Sequence, residues 1–351
     1  MTTMRSKSQP ITAPTDTLNQ LICNSGGDPE TLRGKLVREM MHTCLKLIPD
    51  EAGTGELKMV ARSLKELRYA LKVFRPYNQT RKISVFGSAR TPQDHPHYKA
   101  AEMFCQQISS AGWMVITGAG DGIMRAGIGG AGRDASFGVA IRLPFETSTN
   151  EYIAEDQKLI TFRYFFTRKL MFVSQADAVA LFPGGFGTHD EGFEVLTLVQ
   201  TGKTLMVPIV MVDSPGDHYW REWDHYVRDH FLAKGMISQE DLNLYMVTDD
   251  AKAAVRHVLD FYRNYHSQRY VGDLLVLRMH RRITQNQLAA LNDEFGDLVA
   301  HGLIRQGDAL EGEEKHLHLP RLIFQFTKHH YGRLRLLINR INEFDLLNNG
   351  D

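Results

Sequence analysis

The stretch ADAVALFPGGFGTHDEGFEVLTLVQ, residues 176–200, decides the fold. Residues 178–182 are a short apolar run with the length of a buried strand, closed by Pro183 and two glycines. From Thr188 to Gln200 the apolar residues recur at helical spacing. A strand that runs through a Gly-rich turn into a helix is the unit from which parallel α/β sheets are built. The stretch also raises a question about Glu191. Thr188-x-x-Glu191 fits the capping box, in which the two side chains satisfy each other's free backbone N–H groups. The other reading makes Glu191 a carboxylate that does chemistry.

Working outward, the same texture extends from Lys82 to about Ser267. Strands are predicted over 83–86, 113–117, 137–141, 178–182 and 206–212. Helices are predicted over 98–111, from about 123, and over 162–175, 188–200 and 219–232. The predicted fold class is α/β: a Rossmann-like, doubly wound parallel sheet with helices on both faces. Before it, Leu57, Val60, Leu64, Leu67 and Leu71 recur at helix spacing. After Tyr270 the order becomes strand 274–279, helix 285–300, strands 303–310 and 322–327, and helix 332–344. That order is like a ligand-sensing split βαβ unit without its last strand, an analogy that gives no function. The expected organisation is a disordered tail (1–17), a helical N-terminal extension (18–80), the Rossmann-like domain (81–268) and a small C-terminal α+β module (269–351).

Bulk properties narrow the function. The 351 residues carry 41 basic and 41 acidic side chains, so there is no global electrostatic footprint for nucleic acid. No apolar run reaches the ~18 residues of a membrane span. The N-terminus, MTTMRSKSQPITAPTDT, lacks the apolar core of a secretory signal. Cys23, Cys44 and Cys105 form no CxxC and no disulfide set, which fits a reducing, cytoplasmic home. The fifteen histidines show no recognised metal-ligand spacing, and no metal is expected.

Three glycine-bearing turns follow three predicted strands: Gly87-Ser88, TGAGDGIM (117–124) and PGGFGT (183–188). Glycines admit close approach of a ligand, and helix N-termini offer free N–H groups to an anion. Together the turns point to a phosphorylated ligand. The candidate contacts are Ser88, Gly118, Gly120, Gly122, Gly184, Gly185, Gly187 and Thr188. The spacing of Gly118, Gly120 and Gly122 departs from the dinucleotide fingerprint. The next strand ends in Arg142 where an acidic residue would hold a ribose, which argues against NAD. QTGKT (200–204) imitates the end of a P-loop but has Thr197 where the first Gly belongs, so Gly202 reads as a helix C-cap. Arg168 and Lys169 lie on the helix that precedes the 178–182 strand. A parallel sheet would bring that helix and the PGGFGT turn to a common edge.

PGGFGTHDE resembles the P-G-G-x-G-T-x-x-E signature of the Lonely Guy (LOG) family, whose members are often labelled lysine decarboxylase-like. Arg168-Lys169 matches that family's upstream R-K pair. TGAGDGIM is similar to its first Gly-rich turn, with Ala119 replacing a usual Gly. The resemblance covers residues 83–213, and the flanking segments resemble the extended bacterial members. It implies phosphoribohydrolase activity: a nucleoside 5′-monophosphate is cleaved at its N-glycosidic bond to free base and ribose 5-phosphate. By motif, Arg168 and Glu191 become the catalytic pair, and Gly184, Gly185, Gly187 and Thr188 the phosphate cradle, with Lys169 beside the substrate. The resemblance further implies no metal or organic cofactor, and a homodimer or higher homo-oligomer with the site near the subunit interface. Lysine decarboxylation needs a Schiff-base lysine in a cofactor site, and no motif supports one.

The chemistry is consistent with that implication. A carboxylate stabilises the oxocarbenium-like state of glycosidic cleavage while water attacks. At a helix N-terminus Glu191 is expected to stay ionised, and Arg168 cannot act as an acid. Asp121 and Asp190 are then the candidate proton sources for the leaving base. The alternative function is a nucleotide sensor or carrier on the same scaffold, binding without turnover.

Overall fold

A computed structural model describes residues 15–142 and 150–344. The expected tail therefore lies outside the described residues up to position 14, and its last three positions begin a helix. The described residues form two compact units, which divide between Tyr69 and Ala70. The first holds α1 (Thr15–Asn24), α2 (Leu32–Lys46) and most of α3 (Thr54–Phe74). The Thr31 side chain caps α2 by accepting from Gly34 N–H at 3.1 Å, and Arg38 donates to Asn19 Oδ1 at 2.6 Å to tie α2 to α1.

In the second unit seven parallel strands form one sheet: β1 (Lys82–Phe86), β2 (Met114–Thr117), β3 (Ser136–Ile141), β4 (Leu159–Phe162), β5 (Ala178–Leu181), β6 (Ile209–Val212) and β7 (Tyr245–Thr248). Their order is β4-β3-β2-β1-β5-β6-β7. The helices between them are α4 (Pro96–Ser110), α5 (Ile123–Ala131), α6 (Phe165–Ser174), α7 (Phe186–Gln200), α8 (Tyr219–Tyr226) and α9 (Ala251–Asp260). Strands β1, β2, β5 and β6 are buried at every residue, as near-continuous apolar runs covered on both faces must be. On one face Ile83, Val85, Ala178, Ala180, Val210 and Val212 pack with Phe104 and Ile108 of α4 and Val255 and Val258 of α9. On the other, buried Ser84 donates to Phe172 O of α6 at 2.8 Å. The chain runs outward from β1 to β4 and then returns to β5, so the switch point lies between β1 and β5. Ligands of such sheets bind beyond the strand ends at that crevice.

The α/β reading holds, with local corrections. Strands β4 and β7 and helix α9 were not predicted. The helix expected over 162–175 starts at Phe165, because residues 159–162 pair in parallel with β3. The helix expected over 219–232 is α-helical to Tyr226 and π-helical over Val227–Leu232.

The same unit holds a four-stranded antiparallel sheet, β8 (Tyr265–Val271), β9 (Leu274–Met279), β10 (Val299–Gly307) and β11 (Arg321–Phe326), ordered β10-β11-β9-β8. Helices α10 (Gln285–Phe295) and α11 (Tyr331–Glu343) complete it. Strand β8, unpredicted, pairs with β9 through the two-residue Gly272-Asp273 turn. The expected order of strand, helix, two strands and helix follows as β9-α10-β10-β11-α11, with β11 between β9 and β10 as in a split βαβ unit, and the hairpin adds β8 at the edge. At its centre, buried Glu313 bonds Arg278 (2.6 Å) and Arg321 (3.1 Å).

Candidate functional site

Ser88 brings the three turns together. Its N–H donates to Pro183 O at 3.1 Å, and its carbonyl accepts from Ile123 N–H at 3.0 Å. The backbone at the end of β1 thus ties the turn after β5 to the start of α5. Its hydroxyl accepts locally from Arg90 N–H at 3.1 Å, the turn-stabilising use of serine.

The glycines divide into two groups. A β-carbon on Gly118 or Gly120 would meet the Met124 side chain, at 2.5 and 2.8 Å respectively. Gly122 has φ +61°, and a β-carbon there would lie 2.2 Å from Ser88 O. At these three positions the missing side chain makes room for protein. Ala119 between them sits at φ +60°, a left-handed conformation that explains why glycine suits the position. Gly185 and Gly187 have nothing within 4 Å of a built β-carbon. They border open space at the start of α7.

Helix α7 begins earlier than the sequence suggests. Gly185 is its N-cap residue, and Gly185 O accepts from both Thr188 N–H (3.0 Å) and His189 N–H (3.2 Å). Thr188 is the third helical residue, buried, with Oγ1 only 2.2 Å from where a Gly184 β-carbon would stand. The expected capping box is absent: no side chain among the described residues caps this start. Glu191 lies in the second turn of α7, beyond the free N–H groups.

Helix α6 supplies the facing cations. Arg168 Nη2 is 3.9 Å from Glu191 Oε1, and Lys169 Nζ is 3.6 Å from Oε2. Lys169 also holds Glu194 at 2.8 Å and Asp190 at 2.9 Å. Arg168 lies over the rings of Phe165 and Phe172, and Nη1 comes 4.0 Å from a β-carbon position on Gly118, so the turn after β2 borders the same place. Glu191 is 4% exposed, and its Oε2 accepts no hydrogen bond from a described residue. Burial pushes its carboxyl up to about 7, against the opposing pull of Lys169 and Arg168. This overturns the expectation of a Glu191 kept ionised by a helix terminus: desolvation outweighs the nearby charges.

The proposed proton sources fare differently. Asp190 is committed to Lys169, and Asp121 is exposed and 3.9 Å from Arg125. Tyr219 and His189, which the sequence did not single out, do reach the site. Tyr219 donates its hydroxyl proton to Gly184 O, and His189 Nε2 lies 2.6 Å from the Tyr219 oxygen. Only the fold reveals them, because Tyr219 comes from the next crossover helix. The loop expected to shape a base pocket, 145–156, lies outside the described residues up to 149. Among the described residues no cluster of His, Cys, Asp or Glu is arranged to hold a metal ion.

The family model described as "Possible lysine decarboxylase" matches residues 121–258. A cytokinin riboside 5′-monophosphate phosphoribohydrolase of Mycobacterium tuberculosis is 30% identical over 152 residues, 42% of this chain and 78% of that protein. Among solved structures, the molybdenum cofactor carrier protein of Chlamydomonas reinhardtii aligns with 51% of this chain and 96% of its own, at 20% identity and a TM-score of 0.37. DNA processing protein A of Helicobacter pylori aligns with 52% of this chain and 82% of its own, at 11% identity and a TM-score of 0.37. With PGGFGTHDE and Arg168-Lys169 meeting at one sheet edge, and the mycobacterial relative matched over most of its length, the chain belongs to the LOG family, the group that carries the lysine decarboxylase description.

Proposed function

We propose that this protein hydrolyses the N-glycosidic bond of nucleoside 5′-monophosphates, releasing free base and ribose 5-phosphate. The observation that carries the reading is Glu191: buried, with one oxygen unbonded by described residues, between Arg168 and Lys169 and beside the open start of α7. A phosphate at Gly185 and Gly187 gains the uncapped N–H groups and the helix dipole. Arg168 supplies a fixed positive charge at the same edge. Lys169, held by three carboxylates, fixes α6 against α7 and is not a phosphate ligand in this reading.

Ionised Glu191 stabilises the oxocarbenium-like state and takes a proton from the water whose oxygen bonds to C1′. The C1′–N bond breaks with its electron pair going to the base. Glu191, now neutral, returns that proton to the departing base nitrogen. A carboxyl near pH 7 is suited to both halves of this exchange. No other proton source is then required.

The family relationship supports a homodimer. Phe186 at the mouth of the site is 97% exposed, and Phe165, Phe166 and Leu170 of α6 are about half exposed, an apolar rim of the kind that a second subunit covers. Phe186→Asp should shift the sedimentation equilibrium toward monomer and lower kcat/KM. An unchanged association state would remove Phe186 from the interface.

The deciding experiment incubates the purified chain with AMP, GMP, CMP and UMP and follows base and ribose 5-phosphate. Release from at least one is expected. Binding without release from any would turn the reading to a nucleotide sensor or carrier.

A further inference from the structure

Gly184 and Gly185 flank one peptide group at the centre of the turn. Two adjacent glycines restrain the rotation of that plane less than any other pair of residues. Tyr219 nevertheless holds it, because its hydroxyl donates to Gly184 O. A tyrosine hydroxyl has one proton, so the 2.6 Å contact with His189 is filled by His189 Nε2–H donating to the Tyr219 oxygen. Burial lowers the His189 pKa, which favours the neutral ring. Both rings lean on buried Trp220, Tyr219 edge-on at 5.0 Å and His189 tilted at 5.4 Å. The hydroxyl is therefore carried on packed aromatic rings.

In a trans peptide the C=O and N–H point to opposite sides. Fixing the Gly184 carbonyl therefore fixes the direction of the Gly185 N–H, at the N-cap of α7. We propose that Tyr219, braced by His189, is a positioning residue that keeps the Gly184 carbonyl turned away from a bound phosphate and the Gly185 N–H turned toward it. A flipped peptide would present the carbonyl oxygen to the phosphate and repel it. The inference rests on the phosphoribohydrolase reading, and names a residue that acts through the cradle without touching the reacting atoms.

The test measures dissociation constants for ribose 5-phosphate, AMP and adenosine, with kcat and KM for a cleaved nucleotide, in wild type and Tyr219→Phe. Phenylalanine keeps the ring and removes only the hydroxyl. Affinity for ribose 5-phosphate and AMP should fall about tenfold, the effect of losing one ordinary hydrogen bond. Affinity for adenosine and the melting temperature should hold, and kcat should change by less than about twofold, so that the loss sits in KM. His189→Gln, which keeps a donor, should retain more affinity than His189→Leu. If wild type cleaves and binds but Tyr219→Phe binds ribose 5-phosphate equally well, or loses adenosine in equal measure, the positioning role is overturned while the function stands. If wild type binds and cleaves no nucleotide, the function fails and this inference with it.

Discussion

At the scale of the residue, the lesson lies in Glu191. The sequence pattern around it is a genuine capping-box pattern, and reading it as one placed the carboxylate on the helix dipole. The structure moves the helix start to Phe186, because the Gly185 carbonyl takes the first helical hydrogen bonds. A three-residue spacing is visible in a sequence, but the choice of glycine that opens the helix depends on the turn's tertiary contacts. The consequence is chemical, since burial now dominates and raises the carboxyl from its ordinary 4.5 to about 7. Between these two values the folded chain keeps a proton that the unfolded chain has released. Stability from the neutral acid is complete below about 4.5 and is lost as pH rises through 7. Relative to Glu191→Gln, wild type should lose about 3 kcal/mol across that window, at roughly 1.4 kcal/mol per pH unit. Urea unfolding of both proteins at pH 5 and pH 8 measures it, and a difference that does not change with pH would count against a raised carboxyl. Under the proposed mechanism the same substitution should cut turnover at least ~100-fold, the scale of removing a central electrostatic group. Near wild-type turnover would remove Glu191 from the chemistry.

At the scale of the element, the strands of the parallel sheet that were legible are those buried over all or most of their length, whose apolar runs stand out from amphipathic helices. Strand β4, LITF, is four residues long and leads almost directly into α6, so it merges with the helical pattern. Strand β7, YMVT, is a half-buried edge strand with too few residues to show a period. Strand β8 mixes polar and apolar residues, though the Gly272-Asp273 turn beside it is a hairpin signal that could have been read. The glycines were legible as a group and not as individuals, because nothing in TGAGDGIM or PGGFGT tells whether the neighbour is protein or open space. Their division predicts opposite outcomes for one kind of substitution. Gly122→Ala places a methyl 2.2 Å from Ser88 O on a φ of +61°, and should destabilise the fold by at least ~1–3 kcal/mol. Gly187→Ala puts its methyl into open space inside a helix and should stabilise the fold by up to about 1 kcal/mol. If the cradle is as proposed, it should also weaken ribose 5-phosphate binding. Thermal melts with and without ribose 5-phosphate separate the two effects, and similar behaviour of the two variants would contradict the division.

At the scale of the whole molecule, alternation of strand and helix was enough to identify the parallel sheet, while the ionic centre of the second sheet left no trace. Arg278, Glu313 and Arg321 come from β9, the loop before β11, and β11 itself, and no spacing rule connects them. Each is buried, and Glu313 accepts from both guanidinium groups and from Leu310 N–H at 3.0 Å. Burial would raise the Glu313 carboxyl, but hydrogen bonds from Arg321, Leu310 and Arg278 prevail and bring it down to about 2. The unfolded chain binds that proton at higher pH, so the triad's contribution is complete above about 4.5 and is lost as pH falls through 2. Glu313→Ala leaves two guanidinium groups buried without a counter-charge and should cost about 3–5 kcal/mol. The cost measures uncompensated charge, not the net worth of the triad, because all three ions also lost hydration on folding. Replacing Arg278 and Arg321 by methionine together with Glu313→Leu should therefore recover most of the loss. Urea unfolding of the single and triple variants at pH 7 decides between these terms. If the triple variant is as unstable as Glu313→Ala, the sheet depends on the directional hydrogen bonds of the triad, and charge compensation alone does not explain why a charged core joins these strands.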